Sequence, residues 1–288
     1  MRMVTIATTA FLVEDSPHTV EMNLARAVGY IASAGGCDIL CLPEMVATAN
    51  VPKELEYYGE EFPGEITEVF RNAARKTGIH LIAPYLVRAE GKLYNQATVI
   101  DAEGRIAGVY RKLQPTAEEL RHISAGDAFP VFDLPFGRVA VMICMDIYFP
   151  EISRIYALKG AEIIFWPTVS HGPTQEALRT QAMARALDNS LIVVESNLAN
   201  HPPYAPYGGR FRPATARIID HNGDILAQTG RRQGIARATV DLDEKRLTSQ
   251  CVLYREPDMM REDLERLARL DLYAREYAAL SNLRSRQP

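Results

Sequence analysis

The sequence predicts an α/β protein whose sheets mix parallel and antiparallel strands. Short apolar runs alternate along the chain with segments that have the three-to-four-residue apolar spacing of helices. Most of these runs are too apolar to leave one face in water, so the sheets must be covered on both sides. Two glycine-containing turns, at residues 101–105 and 220–224, each join two extended runs as in a β-hairpin. Antiparallel pairs are therefore expected among the parallel strands.

The individual elements follow from the same periodicities. Runs of aliphatic, β-branched and aromatic residues predict strands at residues 4–13, 37–43, 79–87, 94–101, 105–112, 138–144, 162–167 and 190–196, and a hairpin pair at 215–219 and 225–230. Helical spacing predicts four covering helices at residues 19–36, 65–78, 150–160 and 174–189. Three of these four segments finish at glycine, a common helix end.

A further amphipathic helix is expected over about residues 260 to 285. Its leucine and tyrosine stripe needs a surface to pack on. That surface is either its own domain or a partner subunit, and the sequence leaves both open. No repeat, low-complexity tract or linker interrupts residues 1–245, so a single domain over residues 1–288 is the simplest organisation.

Composition excludes several classes of function. With 288 residues, 47% hydrophobic and 24% charged, the chain can build a substantial core. A net charge of -4 gives no basic field for nucleic acid. No run approaches the roughly 18 apolar residues of a membrane span, and the N-terminus has no cleavable signal pattern. We therefore expect a soluble cytoplasmic protein with a small-molecule partner and no nucleic-acid or membrane role.

The cysteines suggest reduced thiols. Four of them, scattered over 288 residues, do not form a disulfide framework. Cys37 and Cys41 have a C-x3-C spacing, but no second pair completes a metal site, so no metal is expected. A thiol redox role for Cys144 is a weak alternative, because no nearby cysteine could resolve a sulfenic acid.

Three predicted strands end in residues with chemically reactive side chains. Glu44, Lys112 and Cys144 follow apolar runs, and α/β proteins place reactive groups at such ends. Taken singly, an acid at such a place is usually a helix N-terminal acid or a solvated loop residue, a lysine is more often an edge charge, and a cysteine is more often a small buried hydrophobe. The helix predicted after Cys144 should lower the pKa of its thiol. Together, an acid, an amine and a thiol make a catalytic set.

The segments LPEM, YRKLQP and ICMDIYFPE, in this order, resemble the nitrilase superfamily of carbon-nitrogen hydrolases. The similarity covers about residues 3–260 and includes GAEIIFWPT and RALDNSLIVVESN after the cysteine. It implies a four-layer αββα sandwich of mixed sheets with a C-terminal helical extension. It also implies a Glu-Lys-Cys triad, here Glu44, Lys112 and Cys144, and a homodimer or larger homo-oligomer.

The resemblance implies a second glutamate seven residues before the glycine of a Pro-Gly-Asp-like motif. That motif reads SAGD here, and counting back from Gly126 gives Glu119, with Glu118 as the weaker candidate. In the implied mechanism Cys144 attacks an amide carbonyl to form an acyl-enzyme. Lys112 and the backbone N–H of Met145 stabilise the oxyanion, and no cofactor is needed.

Asp146, by contrast, is interpreted as structural, because an acid in a helix's first turn is ordinary.

The residues after Cys144 bear on the substrate. Nitrile-hydrolysing members resemble one another in having Trp-Glu there, whereas this chain has Met145 and Asp146. Members acting on N-carbamoyl amino acids have paired arginines where this chain has Ile147 and Tyr148. We therefore expect a linear, neutral amide as substrate, with N-carbamoyl hydrolase and nitrilase as alternatives. A catalytically silent binding or scaffold protein is the alternative of another class.

Candidate pocket residues are Met145, Tyr148 and His171, and Arg210 and Arg212 could hold an acidic group.

Overall fold

The computed structural model describes residues 1–13, 17–52, 58–169, 175–200, 215–230, 232–244, 266 and 268–284. The chain divides into two compact units, Met1–Glu244 and Lys245–Pro288. Organisation as a single domain over residues 1–288 stays a prediction.

The first unit contains 13 strands among its described residues. They are β1 Met3–Val13, β2 Ile39–Cys41, β3 Glu60–Glu61, β4 His80–Ala89, β5 Lys92–Ile100, β6 Ile106–Arg111, β7 Phe132–Leu134, β8 Gly137–Val141, β9 Ile163–Pro167, β10 Ile192–Asn200, β11 Arg217–Ile219, β12 Ile225–Gln228 and β13 Gly234–Asp241. Its helices are α1 Val20–Ser33, α2 Glu65–Thr77, α3 Pro150–Leu158 and α4 Gln175–Asn189. Helix α5, Leu270–Arg284, belongs to the second unit.

The strands form two halves joined along one seam. The first half runs β13-β1-β2-β4-β5-β6 and the second runs β12-β11-β10-β9-β8-β7. They meet where β1 pairs in parallel with β10, Ala10–Val13 against Asn197–Asn200. Both expected hairpins, β5–β6 and β11–β12, are antiparallel pairs, so those two predictions are confirmed.

The packing has the expected four layers. One buried cluster contains residues of both half-sheets, such as Ile82 from β4 and Ile163 from β9, and also includes Ile152 and Leu178 of α3 and α4. A second cluster buries Ile31 of α1 and other residues of α1 and α2 against the first half-sheet. The fold is thus the mixed αββα sandwich that the resemblance implied.

Strand direction determines where functional groups gather. Strands β2 and β6 point the same way, because β4 is parallel to β2 and two antiparallel steps separate β4 from β6. Strands β8 and β9 are parallel to β10, which is parallel to β1 and hence to β2. The carboxyl ends of β2, β6, β8 and β9 therefore meet at one edge.

Candidate active site

Glu44 lies in the loop that follows β2 and is completely buried. Its Oε1 accepts hydrogen bonds from Lys112 Nζ at 2.8 Å and from Asn95 Nδ2 at 2.8 Å. Its Oε2 accepts one from the backbone N–H of Val169, at 2.9 Å. Because a buried carboxylate needs such partners, these bonds fix both oxygens of Glu44 in position.

Lys112 follows β6 directly, and its side chain is only 1% exposed. Its backbone N–H donates to Asn95 O at 2.9 Å, which extends the β5–β6 ladder by one residue. Its ammonium contacts both oxygens of Glu119 at 2.8 Å in addition to Glu44 Oε1. One lysine therefore bridges two buried carboxylates.

Glu119 opens a short 3-10 helix in the loop between β6 and β7. Its Oε2 also accepts a hydrogen bond from the backbone N–H of Thr116 at 2.7 Å. The loop returns to the sheet at Gly126, whose N–H donates to Lys112 O at 2.8 Å. A Cβ on Gly126 would lie 2.3 Å from Arg111 O, so only glycine allows this approach.

Glu118, the weaker candidate, lies elsewhere: its side chain is 65% exposed and pairs with Arg121. The count back from Gly126 to Glu119 therefore reached the glutamate that contacts Lys112.

Cys144 stands on a sharp turn after β8, at the start of the 3-10 helix Cys144–Tyr148. Its φ of 45° is in the left-handed region that non-glycine residues rarely occupy. The indole N–H of Trp166 donates to Cys144 O at 3.0 Å and secures this conformation. Cys144 as a whole residue is half-buried, and its thiol interacts with the side chains of Glu44 and Thr168.

Asp146 braces the same turn, as the sequence interpretation expected. Its Oδ2 accepts from Ile143 N at 2.7 Å and from Tyr110 OH at 2.5 Å. Its Oδ1 accepts from Gln114 N at 2.8 Å. The carboxylate therefore ties the turn bearing Cys144 to the loop that follows Lys112.

The pKa of the Cys144 thiol is shifted in the opposite direction to the one expected from the sequence. Burial and the neighbouring Glu44 carboxylate raise the pKa of the Cys144 thiol to about 12. The expected lowering by a helix N-terminus was wrong, because α3 begins only at Pro150 and the thiol faces a carboxylate in a desolvated site. The thiol is therefore neutral in the free protein at neutral pH.

The charges of the lysine and second glutamate are stabilised by each other. Desolvation opposes the charged form of Lys112, but Glu44, Cys144 and Glu119 outweigh it and raise the pKa of Lys112. Desolvation would raise the pKa of Glu119, yet Lys112, Thr116 and Asn95 lower it. Both groups therefore remain ionised near neutral pH.

Two buried residues of this site escaped the sequence analysis. Asn95 is completely buried on β5 and bonds both glutamates, with Nδ2 lying 3.2 Å from Glu119 Oε1. Thr168, also buried, follows β9 beside the thiol. The polar residues inside the buried run 94–101 were the available signal for Asn95.

The pocket candidates are less defined. Met145 is half-buried, and Tyr148 is 48% exposed. His171, Arg210 and Arg212 lie outside the described residues.

In the part of the chain that is described, no three His, Cys, Asp or Glu side chains cluster as metal ligands would. No helix there is both long and apolar enough to cross a bilayer.

Comparison with known proteins places this geometry in a family. The carbon-nitrogen hydrolase family profile matches residues 10–250. The chain belongs to this family. It is 30% identical to omega-amidase NIT2 of Homo sapiens over 237 residues, which are 76% of this chain and 83% of the relative.

Two more proteins extend the likeness. The chain is 32% identical to 2-oxoglutaramate amidase of Bacillus subtilis (strain 168), over 72% of this chain and 79% of the relative. The crystal structure of Saccharomyces cerevisiae Nit3, a member of branch 10 of the nitrilase superfamily, is 26% identical with a TM-score of 0.73, covering 83% and 90% of the two chains. This carbon-nitrogen hydrolase is thus an enzyme of the amidase type within the nitrilase superfamily.

Proposed function

We propose that this enzyme hydrolyses linear amides to ammonia and a carboxylic acid through a thioester on Cys144. Glu44, Lys112 and Cys144 form the triad, and Glu119 supports Lys112. The observation that carries the proposal is the buried Glu44–Lys112–Glu119 cluster, with 2.8 Å contacts, beside the thiol of the half-buried Cys144. A cluster of ionised groups is costly to bury, so its presence beside a nucleophile points to chemistry.

Acylation requires a base, because the thiol is neutral in the free enzyme. Cys144 Sγ attacks the carbonyl carbon while Glu44 takes the thiol proton. Glu44 Oε1 already accepts two hydrogen bonds, whereas Oε2 accepts one from Val169 N. Since each carboxylate oxygen has two lone pairs, Oε2 is the atom that receives the proton.

The oxyanion is stabilised by the fixed charge of Lys112. Two of the ammonium contacts go to the two oxygens of one carboxylate, Glu119, so one N–H can turn to the oxyanion while the ion pair persists. Met145 N is the second proposed donor. Such a donor contributes roughly 3 to 4 kcal/mol of transition-state stabilisation in other hydrolases.

Collapse of the tetrahedral intermediate breaks the C–N bond. Glu44 returns its proton to the departing nitrogen, and ammonia leaves with the thioester formed. Glu44 then removes a proton from water, whose oxygen attacks the thioester carbon. The C–S bond breaks, the proton returns to Cys144 Sγ and the carboxylic acid is released.

The substrate class rests on two observations. Met145 and Asp146 follow Cys144 in place of Trp-Glu, which favours amides over nitriles. Two of the three related proteins named above are an omega-amidase and a 2-oxoglutaramate amidase. Because 2-oxoglutaramate carries a carboxylate, an acid-bearing amide stands beside the neutral amide as a candidate, and Tyr148 and His171 are proposed pocket residues.

The test measures ammonia and intact protein mass together. Wild type, Cys144→Ala and the control Cys37→Ala, which alters another buried free thiol, are incubated with propionamide, 2-oxoglutaramate, N-carbamoylalanine and propionitrile. We expect ammonia and an acyl adduct from an amide with wild type and Cys37→Ala only. Full turnover by Cys144→Ala would overturn the mechanism. Turnover confined to N-carbamoylalanine or propionitrile would reassign the substrate class.

A total lack of turnover, with a Cys144 that resists thiol reagents, would favour a silent binding protein.

We further propose that the chain works as a homo-oligomer in the cytosol. Helix α5 carries Leu270, Tyr273, Tyr277 and Leu280 at helical spacing, each about half exposed. Such a stripe is suited to a partner helix. Light scattering should give wild type a multiple of 32.1 kDa and Tyr273→Glu a smaller mass. A monomeric wild type would contradict this assembly.

A further inference from the structure

Asn95 occupies an unusual position between the two buried glutamates. Its Nδ2 lies 2.8 Å from Glu44 Oε1 and 3.2 Å from Glu119 Oε1. These are the same two oxygens that accept from Lys112 Nζ. One neutral amide and one ammonium therefore connect the same pair of carboxylates.

The orientation of the Asn95 amide follows from charge. An amide has two N–H donors on its nitrogen and only acceptor capacity on its oxygen. Turning the amide over would place Oδ1 against two carboxylate oxygens, with three acceptors and no proton between them. The surrounding ionised groups thus select the orientation in which both N–H bonds point to the glutamates.

The cluster needs such a neutral donor because its charges do not balance. Glu44 and Glu119 carry two negative charges, and Lys112 supplies one positive charge. Two nearby carboxylates raise each other's pKa unless hydrogen bonds favour the ionised forms. Backbone N–H groups of Val169 and Thr116 each serve one glutamate, whereas Asn95 serves both.

The backbone of Asn95 is also hydrogen-bonded to Lys112, which follows the end of β6. Its carbonyl oxygen accepts the Lys112 backbone N–H at 2.9 Å, and it pairs with Leu86 across the sheet. Backbone and side chain of one residue thus set the distance between Lys112 and its two partners. Small displacements at such a site are expensive for catalysis.

We propose that Asn95 is a positioning residue that holds the carboxylates of Glu44 and Glu119 at a fixed spacing and directs Glu44 Oε2 to the reacting proton. The inference rests on the proposed function, since it assigns the proton acceptor of that reaction. Asn95 itself contacts the glutamates and takes no part in bond making or breaking.

The test compares Asn95→Leu with Gln96→Leu. Each replaces a completely buried amide on β5 with the apolar side chain of leucine. Adjacent strand residues face opposite sides, and Gln96 contacts Thr98 on the face away from the glutamates. The pair therefore separates the loss of the bridge from the loss of any buried amide in this strand.

The assay is the pH dependence of kcat and kcat/KM on propionamide, or on 2-oxoglutaramate if wild type prefers it. Loss of one donor to each carboxylate should move the acid limb of kcat/KM up by about one pH unit. It should also lower kcat on the order of tenfold with KM within about twofold, because the bridge acts on proton transfer. Gln96→Leu should keep the wild-type acid limb.

Asn95→Asp provides a second variant of the same shape. It places a third carboxyl group against the glutamates, so its acid limb should move at least as far as that of Asn95→Leu. Thermal unfolding of all three variants identifies any that fail to fold, and the proposal then rests on the remaining Asn95 variant.

An unchanged acid limb in a folded Asn95 variant of an active enzyme would overturn the role of Asn95. Absence of turnover in wild type, or full turnover by Cys144→Ala, would instead overturn the proposed function.

Discussion

Replacing Lys112 with methionine should destabilise the protein in a pH-dependent way. The substitution keeps an unbranched side chain but removes the only ammonium that contacts Glu44 and Glu119 among the described contacts. Two buried carboxylates then face each other without a cation. Breaking a buried ion pair by removing one partner costs about 3 to 5 kcal/mol, a large share of a typical 5 to 15 kcal/mol stability.

The loss of stability in Lys112→Met can be bounded by the free energy of protonating one of the two glutamates. The variant can relieve the repulsion by holding one glutamate protonated, whose ordinary pKa is about 4.3. At pH 7 this costs about 1.4 kcal/mol for each of the roughly 2.7 pH units between, or about 3.7 kcal/mol. At pH 5.5 the same proton costs only about 1.6 kcal/mol.

The sign follows from the protons bound in each state. In Lys112→Met the folded state binds more protons than the unfolded state, so its stability falls as pH rises above about 4.3. In wild type the pKa of Glu119 is lowered. The stability that ionised Glu119 contributes is therefore present at neutral pH and is lost only as the pH falls below the ordinary pKa of a glutamate. The difference between the two proteins should therefore grow with pH from about 5 to 7.

Urea unfolding followed by fluorescence measures this difference. Trp166 is the single tryptophan, is completely buried and contacts Cys144 O, so it reports on the site itself. The control Arg105→Met removes an exposed cation paired with Asp101 and Glu103, and should leave the urea midpoint nearly unchanged from pH 5 to 7. A Lys112→Met penalty below about 1 kcal/mol at pH 7, or one that does not change with pH, would refute the reasoning.

Two further predictions concern the nucleophile turn. The pKa of Asp146 is raised to about 6 by burial, so its contribution to stability is present below about pH 4 and is lost as pH rises through 6. Asp146→Asn should remove this decrease of stability with pH, measured by urea unfolding. It should also lower kcat, because the amide nitrogen of asparagine would face the N–H of Ile143 or Gln114. An unchanged pH dependence of stability would contradict the raised pKa of Asp146. Because the pKa of Cys144 is about 12, its conversion to a methyl disulfide by methyl methanethiosulfonate, with release of methanesulfinate, should accelerate about tenfold per pH unit from pH 7 to 10, as peptide mass mapping would show. A plateau near pH 7 would show a preformed thiolate instead.

The sequence was most informative where an apolar run ends in a reactive residue. Glu44, Lys112 and Cys144 each follow such a run, and parallel strand direction brings the ends of β2, β6 and β8 together. The sequence pattern identified each residue singly, and the family resemblance implied that the three side chains meet. Asn95 was missed because a polar residue inside a buried run indicates only that it needs a partner, and the sequence does not show which residues lie across the sheet from it.

Pairing between strands that lie far apart along the chain also could not be predicted from the sequence. Strand β13 pairs with β1 over Met3–Ala10, although its residues alternate between polar and apolar without a strong run. The seam between β1 and β10 joins residues nearly 190 positions apart. Local propensity cannot encode such pairings, because what fixes them is burial against partners distant in the chain.

The raised pKa of Cys144 explains why the site carries so much buried charge. A preformed thiolate would need only a nearby cation, as in sites where a helix or lysine lowers the thiol pKa. Here the thiol faces Glu44, and Lys112 is already shared between two carboxylates. In the proposed reaction the proton therefore moves during acylation, and the carboxylate that receives it must be ionised beforehand. Glu119, Asn95 and the backbone N–H groups of Val169 and Thr116 together meet that requirement, at a stability cost that an apolar core would not carry.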